Sequence, residues 1–312
     1  LTFGKESEVM RKIIITADST ADVTPELKKE FGLETMRFSL NTGNACFPDR
    51  VEEPDKMLSL LDMTENTPLI LIPPQRTDYE DFFDDLAEKN YDIIHVSQGQ
   101  AWSAAYKNAM AAAKNTMVKF RNRLVFVADS RGTAAGQALI LDSALAAKAK
   151  GESPEEIFSL ADELSLRTER YFILPDASRF NSLYPTLSGS LAESAQTVAV
   201  VSADGDGNIL SVKRFRSFFA ACKHIAEAYL AADNKLPCYI YGSADVDPLL
   251  KAVSFLRKRG ISDIRMSSMG AANCCTFGKG AVSVAFIGKP LQTASKRKLS
   301  PGKPTDIFEP EE

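Results

Sequence analysis

The sequence predicts an α/β protein in two parts: an N-terminal domain with a mainly parallel sheet and flanking helices, and a C-terminal α+β domain. Three observations carry this. From Lys12 to about Arg167, strand-sized apolar runs alternate with amphipathic helical stretches, the pattern of a parallel sheet covered on both faces. Near Tyr171 the texture changes to closely spaced strand-like segments with two clear helices set among them. The length of 312 residues, 45% of them hydrophobic, suits two ordinary domains better than one. The expected division is a flexible leader over 1–11, a first domain over 12–168, a second over 169–289 and a loose tail over 290–312, which is poor in apolar residues.

In the first domain, strands are expected over 12–17, 36–40, 92–97 and 123–128. Thr24 as cap, Pro25 at the first helical position and Gly32 at the end mark the first helix. Further helices are expected over 54–62, 78–89, 102–119 and 132–150, and Ser153-Pro154-Glu155-Glu156 opens another with Ser153 as its cap. In the second domain, strands are expected over 171–174, 196–203, 208–215, 237–242, 263–268 and 281–287, with helices over 216–232 and 246–259. Phe218, Cys222, Ile225 and Tyr229 form one stripe of the first of these helices, a face made to lie on a sheet.

Acids and bases are mixed throughout, for a formal net charge of -4, so no basic face advertises nucleic acid and no polybasic stretch advertises a membrane surface. The apolar runs fall far short of the roughly 20 residues a membrane span needs. A cytoplasmic location is the default. The five cysteines (Cys46, Cys222, Cys238, Cys274, Cys275) are odd in number and have no recurring spacing, which favours reduced thiols. Cys274-Cys275 lacks metal-ligand spacing, and no glycine-rich phosphate loop follows a strand, so neither a metal nor a nucleotide cofactor is expected.

The tripeptide Ala-Asp-Ser occurs twice at the end of an apolar run, as Ala17-Asp18-Ser19 and as Ala128-Asp129-Ser130. Ligands of open α/β sheets bind beyond the carboxyl ends of the strands, so two such strands in one sheet would bring both turns to one crevice. A serine nucleophile also needs a base, and the chain has two histidines. His95 lies inside an apolar strand and His224 on a helix face beside Lys223, so a structural histidine is favoured at both. Capping and turn closure account for Asp18 and Asp129 as readily as ligand binding does.

Asp204-Gly205-Asp206-Gly207-Asn208 superficially matches a calcium loop, but Ile209 stands where the glycine belongs and no glutamate follows at the twelfth position. A hairpin turn is expected there. The segment from Met269 to Ala281 is dense in small residues, with glycines at 270, 278 and 280. A tight interdomain packing loop and a ligand-lining loop explain it equally well.

Several of these stretches together resemble the DegV family of bacterial proteins, which hold a fatty acid in a tunnel between two domains. The matching pieces are Ile15-Thr16-Ala17-Asp18-Ser19-Thr20-Ala21-Asp22, Phe47-Pro48-Asp49-Arg50, Asp129-Ser130-Arg131 with Gly136, Arg167-Thr168 before Tyr171-Phe172, and Gly270 with Gly278-Lys279-Gly280-Ala281. The resemblance runs from about residue 12 to 288. It implies a DegV-like fold with the ligand cleft between the domains, and a carrier rather than a catalyst. The ligand it implies is a long-chain fatty acid or related lipid, its carboxyl group presented to a separate fatty acid kinase, with no cofactor. Burial of an acyl chain contributes roughly 0.8 kcal/mol per methylene, whereas an unpaired buried carboxylate costs several kcal/mol.

The chain departs from that family's pattern where donors to the carboxylate belong. Leu71-Ile72-Pro73-Pro74-Gln75 stands at the Thr-Thr-Ser-Gln-Pro-Ser motif, Gly99-Gln100 replaces a serine pair, and Ala104-Ala105 replaces a Gly-Thr, with Ser103 kept. Thr276 falls on a histidine of the closing loop, and Tyr184-Pro185-Thr186-Leu187-Ser188 lacks the arginine of a Gly-Gly-Arg-Ile-Ser motif. Leu71, Ile72, Gly99, Gln100, Ser103 and Thr276 are the residues expected around the ligand's head, with Gln100 and Thr276 as substitute donors. Asp18, Ser19, Asp129 and Ser130 are expected to support the crevice. Two other readings stay open: a hydrolase or transferase using Ser19 or Ser130 with Asp18 or Asp129, and a divergent member with a non-fatty-acid ligand or none.

Overall fold

The computed structural model describes residues 12–43, 45–49, 59, 62, 70–184, 197–232 and 236–289. The expected leader and tail, most of the helix expected over 54–62 and residues 185–188 lie outside these. In chain order the first elements are β1 (Lys12–Asp18), a 3-10 turn (Ser19–Ala21), α1 (Pro25–Phe31), β2 (Glu34–Met36), β3 (Ser39–Asn41), β4 (Cys46–Pro48) and β5 (Ile70–Ile72). There follow α2 (Arg76–Glu88), β6 (Tyr91–Ser97), α3 (Ala105–Lys119), β7 (Val125–Asp129), α4 (Ala135–Ala149) and α5 (Pro154–Arg167). The rest comprises β8 (Thr168–Leu174), α6 (Ser178–Leu183), β9 (Val198–Ala203), β10 (Ile209–Phe215), α7 (Phe218–Ala231), β11 (Cys238–Gly242), α8 (Val246–Lys258), β12 (Ile264–Ser268), α9 (Ala271–Phe277) and β13 (Val282–Ile287).

The first sheet is parallel, in the order β2-β1-β6-β7. Because side chains alternate along a strand, Ile14, Ile93, Val125 and Val127 meet α2 and α3 on one face, while Ile15, Ala17, Ile94, Val96 and Ala128 point to the other. The second sheet runs β10-β9-β8-β13-β11-β12 and is antiparallel except at β11 and β12. It too is apolar on both faces. Tyr171, Ile173, Ile240 and Val284 pack under α7 and α8, and Phe172, Leu174, Val201 and Ala285 turn inward.

The layer between the sheets is α4, buried from Ala135 to Leu141 without a break and again at Ala144, Leu145 and Ala147. A helix apolar on all sides must be covered on all sides. Here β1 and β6 lie against one flank and β11 and β13 against another, so a single core runs through both sheets.

Cap chemistry sets the ends of α1 and α5 where the sequence says it should, whereas the helices expected from 102 and 132 start at Ala105 and Ala135, without a side-chain cap. The Thr24 side chain accepts from Leu27 N–H, and Gly32 ends α1 in the left-handed region. Ser153 and Glu156 close a reciprocal capping box on α5. The 204–208 segment is a hairpin turn: Asp204 N–H donates to Asn208 O at 2.9 Å, and the Asp204 carboxyl accepts from Asp206 N–H and Asn208 N–H. All five cysteines are free thiols.

Three expectations are corrected. The strand expected over 36–40 is two strands in two sheets, because Phe38 between them is fully buried and its N–H donates to Ser19 Oγ at 3.1 Å, which turns the chain. The pairing of β3 with β4 and β5 makes a third, small antiparallel sheet. The small-residue segment after Met269 is not a loop but the two-turn helix α9, entered at Gly270 and left at Gly278, whose φ of 85° suits glycine. With α6 it brings the second half to four helices among the described residues.

Candidate functional site

Both Ala-Asp-Ser turns end strands that flank β6. Asp129 pairs with Ser97, and Asp18 lies one residue beyond the pairing of Ala17 with Val96. Their carboxyl groups have different surroundings. Asp18 does not cap the turn after it; it is wholly buried and accepts from Tyr79 Oη (2.5 Å), Ser97 Oγ (2.8 Å) and Gln98 N–H (2.7 Å), with His95 Nε2 at 3.1 Å. His95 Nδ1 lies 2.9 Å from Thr16 Oγ1, so both ring nitrogens are occupied within the core. Asp129 Oδ1 accepts from Arg131 N–H (2.8 Å) and Gln100 N–H (3.3 Å), closing its turn, while its buried Oδ2 has no partner among the described residues. Burial pushes the Asp129 carboxyl above the usual carboxylate range, against the pull of those two N–H groups and of Arg131.

The two serines are equally committed. Ser19 Oγ donates to Asp49 Oδ2 at 2.6 Å, and Ser130 Oγ donates to Gly132 O at 3.0 Å. Neither hydroxyl meets a histidine, so no Ser-His pair forms among the described residues. Behind the second turn, the wholly buried Arg170 donates to the carbonyls of Ser130 (2.6 Å), Ser165 (2.7 Å) and Thr168 (2.7 Å). Burial, reinforced by Arg131, pulls its pKa down to about 9. Gly99 is needed where it stands: a Cβ there would lie 2.5 Å from Gly132 N, so the two loops touch backbone to backbone.

The two sheets are joined at α9, which packs against the 3-10 turn, β3 and β5 of the first half. Asp22 accepts from Gly270 N–H (2.8 Å) and Asn273 Nδ2 (2.9 Å), and Asp49 Oδ1 accepts from Ala272 N–H (2.9 Å). Asn273 also donates to Thr20 O at 2.8 Å and accepts from Thr133 Oγ1 at 2.7 Å. Burial raises both acids; Asp49 is pushed up to about 6, and Asp22, further raised by Asp49 beside it, lies well above its ordinary value.

At the far end of α9 the joint becomes aromatic. Phe277 stacks on Phe172 with centroids 4.1 Å apart, and Trp102, from the loop between β6 and α3, lies 5.4 Å from Phe172, 5.8 Å from Phe277 and 6.2 Å from Tyr184. Phe180 closes the group against Tyr184 and Phe277. The indole Nε1 is buried without a hydrogen-bond partner among the described residues. Among the described residues no cluster of three or more His, Cys, Asp or Glu could hold a metal ion, and no helix is long and apolar enough to cross a membrane.

The residues expected around a ligand's head lie on the elements that frame this joint. Leu71 and Ile72 are half-buried on β5, against which α9 packs, and the loop after β5 is tied to α3 by Asn108 Nδ2 donating to Pro74 O at 2.8 Å. Gly99 is buried, Gln100 is exposed, and Ser103 Oγ accepts from Ala105 N–H at 3.2 Å. Thr276, on α9, is buried and spends its hydroxyl on Ala272 O at 2.9 Å. Sequence reasoning missed Trp102, Phe277 and Asn273. Trp102 carries the one usable signal, as the only tryptophan, placed two residues after Gln100.

The molecule is thus an α/β protein of two main sheets around a shared helix, with a joint that is polar at one end of α9 and aromatic at the other. The family model described as "Uncharacterised protein, DegV family" matches residues 12–289, and the chain belongs to the DegV family. A DegV domain-containing protein of Clostridium perfringens is 21% identical over 298 residues, which cover 89% of this chain and 98% of the relative. Among solved structures, a stearic acid-binding protein from Eubacterium ventriosum superposes with a TM-score of 0.77 at 17% identity, covering 89% of this chain and 98% of that one. A DegV family protein from Eubacterium eligens loaded with heptadecanoic acid gives 0.76 at 18% identity, covering 89% and 100%. At such identity the likeness establishes the fold.

Proposed function

We propose that this protein binds a long-chain fatty acid or a related lipid between an N-terminal domain over 12–168 and a C-terminal domain over 169–289, and does no chemistry of its own. The single observation that carries the reading is the aromatic joint beneath the loop 99–103. It is an apolar cluster contributed by both halves, in a fold that matches fatty-acid-bound proteins almost end to end. Leu71, Ile72, Gly99, Gln100, Ser103 and Thr276 surround the head, and Asp18, Ser19, Asp129 and Ser130 hold the crevice in shape. The occupied hydroxyls of Ser19 and Ser130 support a carrier over a hydrolase or transferase. The carrier acts in the cytoplasm and presents the carboxyl group to a fatty acid kinase. Purification under native conditions, followed by denaturing mass spectrometry, tests the reading. Near-stoichiometric fatty acid is expected; an empty protein that also takes up no added hexadecanoate overturns it.

A further inference from the structure

A buried indole N–H normally has an acceptor. That of Trp102 has none among the described residues, although the rings of Phe172, Phe277 and Tyr184 surround the side chain. The loop that carries it is fixed: Trp102 N–H donates to Gly99 O at 2.9 Å, Gly99 N–H to Gly132 O at 2.8 Å, and Gln100 N–H to Asp129. Of the hydroxyls on the same loop and on α9, Thr276 donates to Ala272 O and Ser103 accepts from Ala105 N–H. Of the charged groups on the adjoining turn, Asp129 spends Oδ1 on the N–H groups of Gln100 and Arg131 and keeps Oδ2 buried without a partner among the described residues, and Arg131 is paired with Asp162 at 3.0 Å. An unspent donor therefore stands at the boundary between polar loop and aromatic interior.

We propose that Trp102 is the head-group donor and specificity residue of the lipid site: its indole Nε1–H donates to the carboxylate of the bound acid, while its ring forms the first wall of the chain's path. This rests on the reading that the joint binds a lipid. An indole nitrogen is a donor only, and a hydrogen bond to an ionised acceptor is about twice as strong as one to a neutral acceptor. The site consequently selects a carboxylate over its neutral ester.

Delipidated protein titrated with hexadecanoate and with methyl hexadecanoate tests the proposal. Because the chain has one tryptophan, emission excited at wavelengths that its 8 tyrosines do not absorb reports on this side chain alone. A saturable change with hexadecanoate is expected, matching the calorimetric isotherm. Trp102→Phe, which keeps a ring and removes the N–H, should weaken hexadecanoate about tenfold or more and the ester less than about threefold, with the thermal midpoint little changed. The proposal is overturned if Trp102→Phe binds hexadecanoate as the parent does, or loses both ligands by the same factor, which would mark a packing role. In those cases the lipid reading survives. If the parent protein binds neither ligand, the lipid reading fails and takes the proposal with it. Should Trp102→Phe not fold, an emission that stays constant while calorimetry shows saturation overturns the proposal on the parent protein alone.

Discussion

At the start of α9 the two halves are joined by carboxyl groups and amides; at its end, nearly two turns further on, they are joined by rings. The polar end is a set of directional bonds from Gly270, Ala272 and Asn273 to Asp22, Asp49 and Thr20, all 2.8–2.9 Å long. Such bonds weaken steeply with misalignment, and each group left unpaired in the interior costs about 1–3 kcal/mol. The polar end therefore fixes how α9 sits on the first half. The aromatic end has no such requirement. Rings lose little on sliding past one another, because their contacts are dispersion contacts with little directional demand. One joint thus combines directional bonds at one end with non-directional contacts at the other.

The comparison breaks most sharply with Phe277→Ala. Removing a buried ring stacked on Phe172 should lower unfolding stability by about 3–5 kcal/mol in urea denaturation. Asn273→Ala comes next, at about 2–3 kcal/mol, because Thr20 O, Asp22 and Thr133 lose one amide together. It should also spoil register, seen as faster amide exchange in β13 and the 3-10 turn.

Asp49 sharpens the contrast through pH. Its carboxyl is held at about 6 in the folded protein against an ordinary value of 3.8, chiefly by burial. The folded state consequently binds more protons than the unfolded state between those values, so this group's contribution is fully present below about 4 and is lost as pH rises through about 6. Stability should fall by on the order of 1–3 kcal/mol from pH 4.5 to pH 7.5 on this account, and Asp49→Asn should flatten that part of the curve. The smallest effect is Ser103→Ala, which removes one half-buried bond to Ala105 N–H and should cost about 0.5–1 kcal/mol in the same denaturation assay.

Which parts of this were legible follows from distance along the chain. Thr24 with Gly32, Ser153 with Glu156 and Asp204 with Asn208 are local devices, and the sequence displays each in full. Both Ala-Asp-Ser turns were also visible, and so was their place at strand ends. What they bind to was not: Asp18 meets Tyr79 and Ser97, 61 and 79 residues away, and Asp22 meets Asn273 at a separation of 251. The helix α9 hid for another reason. Seven residues, small for the most part and buried on every side, have no polar face, so no helical period is there to be seen. Split strands hide likewise, since a single buried Phe38 decides where β2 ends and β3 begins.

The position of α4 governs how such a chain can be made. Asp142 accepts from Tyr239 Oη at 2.8 Å, and Ala138, Leu141 and Leu145 of the same helix line a crevice with Tyr241, so β11 covers a surface that the first half presents long before β11 has been synthesised. Until then the nascent chain carries an apolar helix flank open to water, a flank suited to chaperones and to aggregation alike. A fragment ending after Arg167 should accordingly express as insoluble material, and adding residues 168–289 in trans should recover it only if the two pieces fold together.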